Sequence, residues 1–290
     1  MNCEMHAPDP NQARRGPLCP ICGGDTAPAR PVHRRRLDAL MRCGACGSLF
    51  AHPRPSREQL DELYRQEYYD APAGTADVEK RGWAYQRGAQ LLHRTVLRAI
   101  ARRHGGVVGP GRRVLDFGCG LGSFLAEARA AGMEAVGVEM SPLAADHARD
   151  NLGLDVRTGD EGALDELPDG SFNLVTAWAV LEHTLHPRNV VARLAAKLAS
   201  GGVLGLTLPN LGCWRYRLVG GRWFNIQDPT HLNFPTCGAS RRMLENAGLA
   251  HVERVVYWGG RTGFGPLASA LQYLIRLANL GSEFRLLACR

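Results

Sequence analysis

The stretch VLDFGCGLGSF at 114–124 constrains the fold more than any other part of the chain. An apolar strand ends on Asp116, glycines follow at 118, 120 and 122, and helix-forming sequence begins directly after them. Glycine lets the backbone come close to a ligand, and the start of the following helix presents unpaired N–H groups toward it. Dinucleotide-binding proteins use a similar turn, so the turn alone does not name the ligand.

The flanking pattern sets the architecture. From 112 onward strand and helix alternate: RRVLDFG, SFLAEARAAG, EAVGVEM, PLAADHARDN, a short LDVRTGD strand, FNLVTAWAV, RNVVARLAAKLA and GVLGLTL. Such alternation predicts a doubly wound α/β fold, a mostly parallel sheet with helices on both faces. After Pro209 an irregular segment carries Trp214, Tyr216, Trp223 and Phe224, followed by a helix near 236–247 and the strand HVERVVYW. A helix with a broad apolar face, PLASALQYLIRLANL at 266–280, and the strand EFRLLAC close the pattern. Upstream, Ser56 and Gln59 form a capping box for a helix with Leu60, Leu63 and Tyr64 on one stripe, and a second helix is expected from Trp83 to Ala101. A length of 290 residues accommodates one large α/β domain and a small accessory module.

Two carboxylate positions sharpen the ligand. The second strand ends in Glu139, 23 positions beyond Asp116, where a carboxylate can accept hydrogen bonds from both ribose hydroxyls. The third ends in Asp160–Glu161, suited to an adenine amino group. At these residues the chain resembles the class I S-adenosylmethionine-dependent methyltransferases, with VLDFGCGLG, GVEMS, TGDEGALDELPDGSFNLVTAWAVLEH and LASGGVLGLTLPN in that family's order between 112 and 210. The resemblance implies a seven-stranded, Rossmann-like sheet and S-adenosyl-L-methionine as cofactor. It implies that Asp116, Phe117, Gly118, Cys119 and Gly120 lie along the methionine part, Glu139 and Met140 at the ribose, Asp160 and Glu161 at the adenine, and Trp178 at the fourth strand's end. A dehydrogenase-type turn is the alternative, but that turn prefers a third glycine where this chain has Phe124.

A sulfonium methyl is already activated, so alignment supplies much of the acceleration, and an acceptor hydroxyl needs only its proton removed. In the family the fourth strand's tip lies beside the transferable methyl, which makes His183 a candidate base or orienting group. The plainer reading makes Glu182 and His183 capping residues of the next helix. Glycan and small-molecule members have a segment similar to NIQDPTHLNFPT at 225–236; there His231 is the second catalytic candidate, Asn233 a further contact, and Trp214, Tyr216, Trp223 and Phe224 the expected walls.

Cys19, Cys22, Cys43 and Cys46 form C-x2-C-x20-C-x2-C, with Gly23 and Gly47 after the pairs. This spacing predicts a closed tetrahedral Zn2+ site, structural because no coordination position stays open. The expected layout is a zinc ribbon over 1–55, a helical linker or lid over 56–110 and the catalytic domain over 111–290, with an acceptor segment at about 211–236. The ribbon and CGACGSLFAHPRPSREQLDELYRQEYYD resemble the bacterial glycan and secondary-metabolite members, in which the ribbon borders the acceptor pocket. The leading expectation is methyl transfer to oxygen of a small molecule, sugar or lipid-linked glycan. The alternatives are a zinc-containing rRNA base methyltransferase and, outside enzymes, a cofactor-binding interaction module. The net charge of +7 permits anionic partners, namely nucleic acid, sugar phosphates or a peripheral membrane surface, without selecting one. No apolar run reaches the roughly 18 residues of a membrane span, and the start lacks a secretory segment, so a cytoplasmic location is expected.

Overall fold

The computed structural model describes residues 18–24, 31–35, 38–64, 92–255 and 280–290, with 274, 277 and 278. Its main sheet has seven strands: β4 (Arg113–Phe117), β5 (Glu134–Glu139), β6 (Asp155–Thr158), β7 (Phe172–Trp178), β8 (Leu198–Pro209), β10 (Ala250–Val255) and β11 (Glu283–Cys289). Their order is β10-β11-β8-β7-β4-β5-β6, and β11 is antiparallel to both of its neighbours while the others pair in parallel. The order reverses between β4 and β7, so the C-terminal ends of these strands frame the crevice where open α/β sheets bind ligands.

Successive side chains on a strand point to opposite faces, and both faces are buried. On one side Val114 and Leu174 meet Val96 and Ile100 of α2 (helical over 92–103), Leu125 and Ala128 of α3 (Ser123–Ala130), and Ala145 and Ala148 of α4 (Pro142–Leu152). On the other, Leu115 and Val175 meet Val190, Val191 and Leu194 of α5 (Pro187–Lys197) and Met243 and Leu244 of α8 (Cys237–Asn246). Local signals hold where they were strongest. Ser141 caps α4 by accepting from the Ala144 N–H, Pro142 opens the helix, and Gly153 ends it at φ +60. The capping box of α1 (Arg57–Tyr64) forms: Ser56 N donates to Gln59 Oε1 at 2.8 Å and Gln59 N to Ser56 Oγ at 3.2 Å.

The N-terminal strands β1 (Pro31–Arg34), β2 (Ala39–Arg42) and β3 (Leu49–His52) form a second, antiparallel sheet. Its fourth strand, β9 (Asn233–Phe234), comes from the segment expected to be irregular; that segment also folds into α6 (Trp214–Val219) and α7 (Phe224–Gln227). Leu40, Leu49, Ala51 and Leu60 pack against Cys213, Trp223, Ile226, Leu232 and Phe234. The start of the second helix at Trp83 and most of the helix expected over 266–280 lie outside the described residues, though Leu274 and Leu277 are exposed. Among the described residues no helix is long and apolar enough to cross a membrane.

Candidate active site

The three glycines after β4 all have positive φ but do different work. A Cβ on Gly118 (φ +73) would sit 2.5 Å from Val180 Cγ2, and one on Gly122 (φ +82) 2.6 Å from Leu154 Cδ1, so both are packing constraints. Gly120 (φ +54) faces open space, and its N–H donates to Glu139 Oε2 at 2.8 Å. Glu139 Oε1 accepts from Ser141 N at 2.8 Å, so two backbone donors orient this carboxylate at the mouth of the turn. Phe117 and Cys119 are buried, and Cys119 Sγ lies over Gly137, which leaves only their backbones for a ligand. Asp116 is buried too; Thr176 Oγ1 donates to its Oδ1 at 2.7 Å. Burial pushes the Asp116 carboxyl up to about 7, against the lowering effect of Thr176, with the Glu139 charge adding to the rise.

Asp160 accepts from Gly162 N at 2.7 Å and heads the 3-10 turn Glu161–Glu166. Its other oxygen meets Arg57 Nη1 at 2.7 Å, and Arg57 Nη2 also reaches Met140 Sδ at 3.3 Å. Arg57 is thus a member of the crevice that sequence reasoning missed: on α1 it carried no signal beyond being a helical arginine. Trp178 packs edge-on against Phe124 with ring centroids 5.5 Å apart and over Gly205, so its indole belongs to the α3 side of the sheet.

At the tip of β7 Ala179 adopts φ +55, and a 3-10 turn, Leu181–His183, follows. His183 and His231, 48 positions apart in sequence, meet here with ring centroids 4.6 Å apart and planes at 74°. His183 Nδ1 lies 3.2 Å from Thr230 O, and His231 Nδ1 lies 3.0 Å from Asn225 O. A carbonyl oxygen only accepts, so each Nδ1 carries the proton and each Nε2 the lone pair. Burial pushes His183 down to about 3, with His231 adding to the effect, and burial lowers His231 as well. Glu182 is buried beside them; burial pushes it up to about 8, and its Oε2 has no hydrogen-bond partner among the described residues. Asp228 Oδ2 stands 3.6 Å from His231 Nε2, another participant the sequence did not single out.

The N-terminal sheet holds this pair of loops in place. Arg54 donates to Thr184 O at 2.9 Å, to Leu185 O, to Leu232 O at 3.3 Å and to Asn233 Oδ1 at 2.8 Å. Arg35 donates to Asp228 O at 2.8 Å and His231 O at 2.9 Å. Asn233 does not line an acceptor site: it is buried, and its amide donates to Leu181 O at 2.9 Å and Thr184 O at 2.7 Å. The aromatic walls also depart from expectation. Trp223 is buried in the contact with the N-terminal sheet, Tyr216 Oη bonds His33 Nε2 at 2.9 Å, and Trp214 and Phe224 are exposed.

The four N-terminal cysteines converge. Cys19 and Cys46 sulfurs are 3.8 Å apart and those of Cys22 and Cys43 3.6 Å apart. A disulfide would need about 2.05 Å. Four sulfurs at ~2.3 Å from one tetrahedral ion have edges of about 3.8 Å, so the donor set fits such an ion. Gly23 (φ +74) and Gly47 (φ +71) turn the two knuckles, donating to Cys19 O and Cys43 O.

Comparison with known proteins agrees with this geometry. The sequence profile of a family described as "Methyltransferase domain" matches residues 83–254, more than half of the chain. A ribosomal protein L11 methyltransferase of Burkholderia vietnamiensis is 36% identical over 143 residues, 48% of this chain and 45% of the relative. The corresponding protein of Burkholderia cenocepacia is 35% identical over the same length, so the chain spans less than half of these relatives. Among solved structures, a SAM-dependent methyltransferase of Thermotoga maritima, described as a possible histamine N-methyltransferase, superimposes with TM-score 0.54 at 16% identity, covering 79% of this chain and 99% of its own. One from Mesorhizobium loti gives 0.51 at 21% identity, covering 67% and 96%. At such identities the structures show the fold alone. With the family profile spanning the glycine turn, Glu139 and the tip of β7, the chain belongs to the class I S-adenosylmethionine-dependent methyltransferases and is an enzyme.

Proposed function

We propose that this methyltransferase acts on a hydroxyl of a small molecule, sugar or lipid-linked glycan, with His183 and His231 at the acceptor. The observation that carries the reading is the imidazole pair at the tip of β7, each ring anchored through Nδ1 on a backbone carbonyl and held neutral by burial. Val180, two and three residues before Glu182 and His183, packs directly on Gly118 of the glycine turn, so acceptor and cofactor elements touch. Bound S-adenosyl-L-methionine supplies an activated methyl; Gly120 and Glu139 would hold its ribose end and Asp160 its adenine. An oxygen acceptor needs its proton received as it attacks, and lone-pair nitrogens in a buried site can orient and accept it.

In the same reading Cys19, Cys22, Cys43 and Cys46 hold a structural zinc ion in the 1–55 module, 56–110 is a helical linker or lid, and 111–290 is the catalytic domain. The sulfur spacing supports the metal, and a thiolate cage suits the reducing cytoplasm. The zinc module then acts through Arg35 and Arg54, which grip the loops that carry His183 and His231.

A second reading, methylation of a ribosomal component, is favoured by the Burkholderia relatives named ribosomal protein L11 methyltransferase. The test for both is incubation with labelled cofactor and cell extract fractionated into RNA, protein, lipid, glycan and small molecules. Label in the glycan, lipid or small-molecule fraction supports the proposal; label confined to ribosomal protein or RNA overturns it.

A further inference from the structure

We propose that Arg57 is a positioning residue for cofactor recognition: it fixes the Asp160 carboxylate as an acceptor for the adenine amino group, so that the site selects an adenine nucleoside over its 6-keto counterpart. This rests on the placement of the adenine at Asp160 in the reading above. Arg57 opens α1 and reaches the ends of two strands at once. Its Nη1 meets Asp160 Oδ2 at 2.7 Å, just past β6, and its Nη2 lies 3.3 Å from Met140 Sδ, just past β5. The third nitrogen, Nε, donates to Asp61 Oδ1 at 2.9 Å one helical turn on. All three guanidinium nitrogens are engaged, which holds the planar group in one orientation. Its helix is anchored as well, by the Ser56–Gln59 capping box and by Leu60, buried in the cluster that joins the N-terminal sheet to Trp223.

Helix stability does not explain this residue. The first turn of a helix favours acidic side chains, and a cation there opposes the macrodipole. The two partners of the Arg57–Asp160 pair are 34% and 38% exposed, and pairs that open to water add little to folding. What the pair changes is the chemistry that Asp160 presents. Gly162 N holds Oδ1 at 2.7 Å while Arg57 holds Oδ2, so the carboxylate is fixed through both oxygens. A carboxylate has about four lone-pair sites, and these two bonds leave acceptor capacity on a group that can no longer turn. An ion-paired carboxylate offers no donor of its own. An exocyclic amino group satisfies it, whereas a 6-keto oxygen brings a second acceptor against it and is repelled.

The test is calorimetry of the full-length protein with S-adenosylhomocysteine and with S-inosylhomocysteine, which differ at the purine 6-position, amino against keto. We expect the parent to prefer the adenine ligand by roughly tenfold or more, and Asp160→Asn, whose amide supplies a donor, to lose most of that preference. Arg57→Met should cut the preference by about fivefold or more while the thermal midpoint stays within about 2 °C of the parent. Arg57→Lys keeps the charge without the planar fork and should fall between the two. A merely structural role would weaken both ligands equally and leave their ratio unmoved. Arg57→Met with the parental ratio, or with both ligands weakened in step, while Asp160→Asn loses the preference, overturns the role of Arg57 and leaves the adenine placement standing. A parent without preference, or Asp160→Asn with the parental one, overturns the adenine placement and this proposal with it. No acceptor is present in these measurements, so none of these results bears on the hydroxyl-acceptor reading.

Discussion

Removal of the Arg54 guanidinium is the most informative perturbation of the acceptor site. Its side chain donates to four oxygens, those of Thr184, Leu185, Leu232 and the Asn233 amide, which belong to the two loops that carry His183 and His231. Burial pushes Arg54 down to about 10, so it remains charged at neutral pH. A hydrogen bond from a charged donor contributes roughly 1.5–3 kcal/mol, and four that share one donor do not add. Withdrawing the donor leaves four neutral, part-buried oxygens without it, each costing about 1–3 kcal/mol with overlap between them, so about 3–5 kcal/mol in all. We therefore expect Arg54→Met, which keeps the aliphatic stem, to lose about 3–5 kcal/mol in urea unfolding and roughly 6–20 °C in Tm. Arg54→Lys keeps the charge but not the planar fork and should lose about 1–2 kcal/mol. Turnover at saturating cofactor should fall in both, with cofactor Kd within about twofold of the parent, because among the described residues the hydrogen bonds of Arg54 go to 184, 185, 232 and 233 and not to Gly120, Glu139 or Asp160. A loss under about 1 kcal/mol for Arg54→Met, or a fall in cofactor affinity in step with turnover, would refute this account.

Three further outcomes follow from the geometry. A Cys43→Ser, Cys46→Ser double variant should lose its zinc and, through Arg35 and Arg54, its turnover; undiminished zinc by elemental analysis would remove the cysteine-cage assignment. Glu139→Gln should weaken cofactor binding by about 1.5–3 kcal/mol, roughly 10- to 150-fold, and calorimetry showing unchanged affinity would mean that the ribose lies elsewhere. Asp116 holds its proton up to about 7 when folded against an ordinary value of 3.8, so the folded state binds more protons than the unfolded one between these limits. Its contribution is then fully present below about pH 4 and lost as pH rises through about 7, on the order of 4 kcal/mol at most. Urea midpoints of the ligand-free parent should decline over that window relative to Asp116→Asn; parallel profiles would contradict the buried-carboxyl assignment.

Sequence alone determined whatever depends on neighbours a few residues apart. The capping box of Ser56 and Gln59, the Ser141-Pro142 start of α4, the positive-φ glycines after β4 and each cysteine pair are local devices, and each appears as its spacing implied. Strand–helix alternation carried the sheet class for the same reason, because period and chain connectivity restrict how βαβ units close. What only the tertiary structure decided lies at long separation. His183 meets His231 across 48 positions because β9 pairs with β3 and draws the 225–236 loop over the tip of β7. That same pairing turns Trp223 and Tyr216 toward the N-terminal sheet and buries Asn233 as a brace, where the family resemblance had implied acceptor walls and an acceptor contact. Arg54, Arg57 and Asp228 acquire their roles from partners on other elements, and no periodicity or motif encodes which distant carbonyl or carboxylate a side chain will face. Such contacts are selected by how two sheets pack, and packing is a property of the whole folded chain.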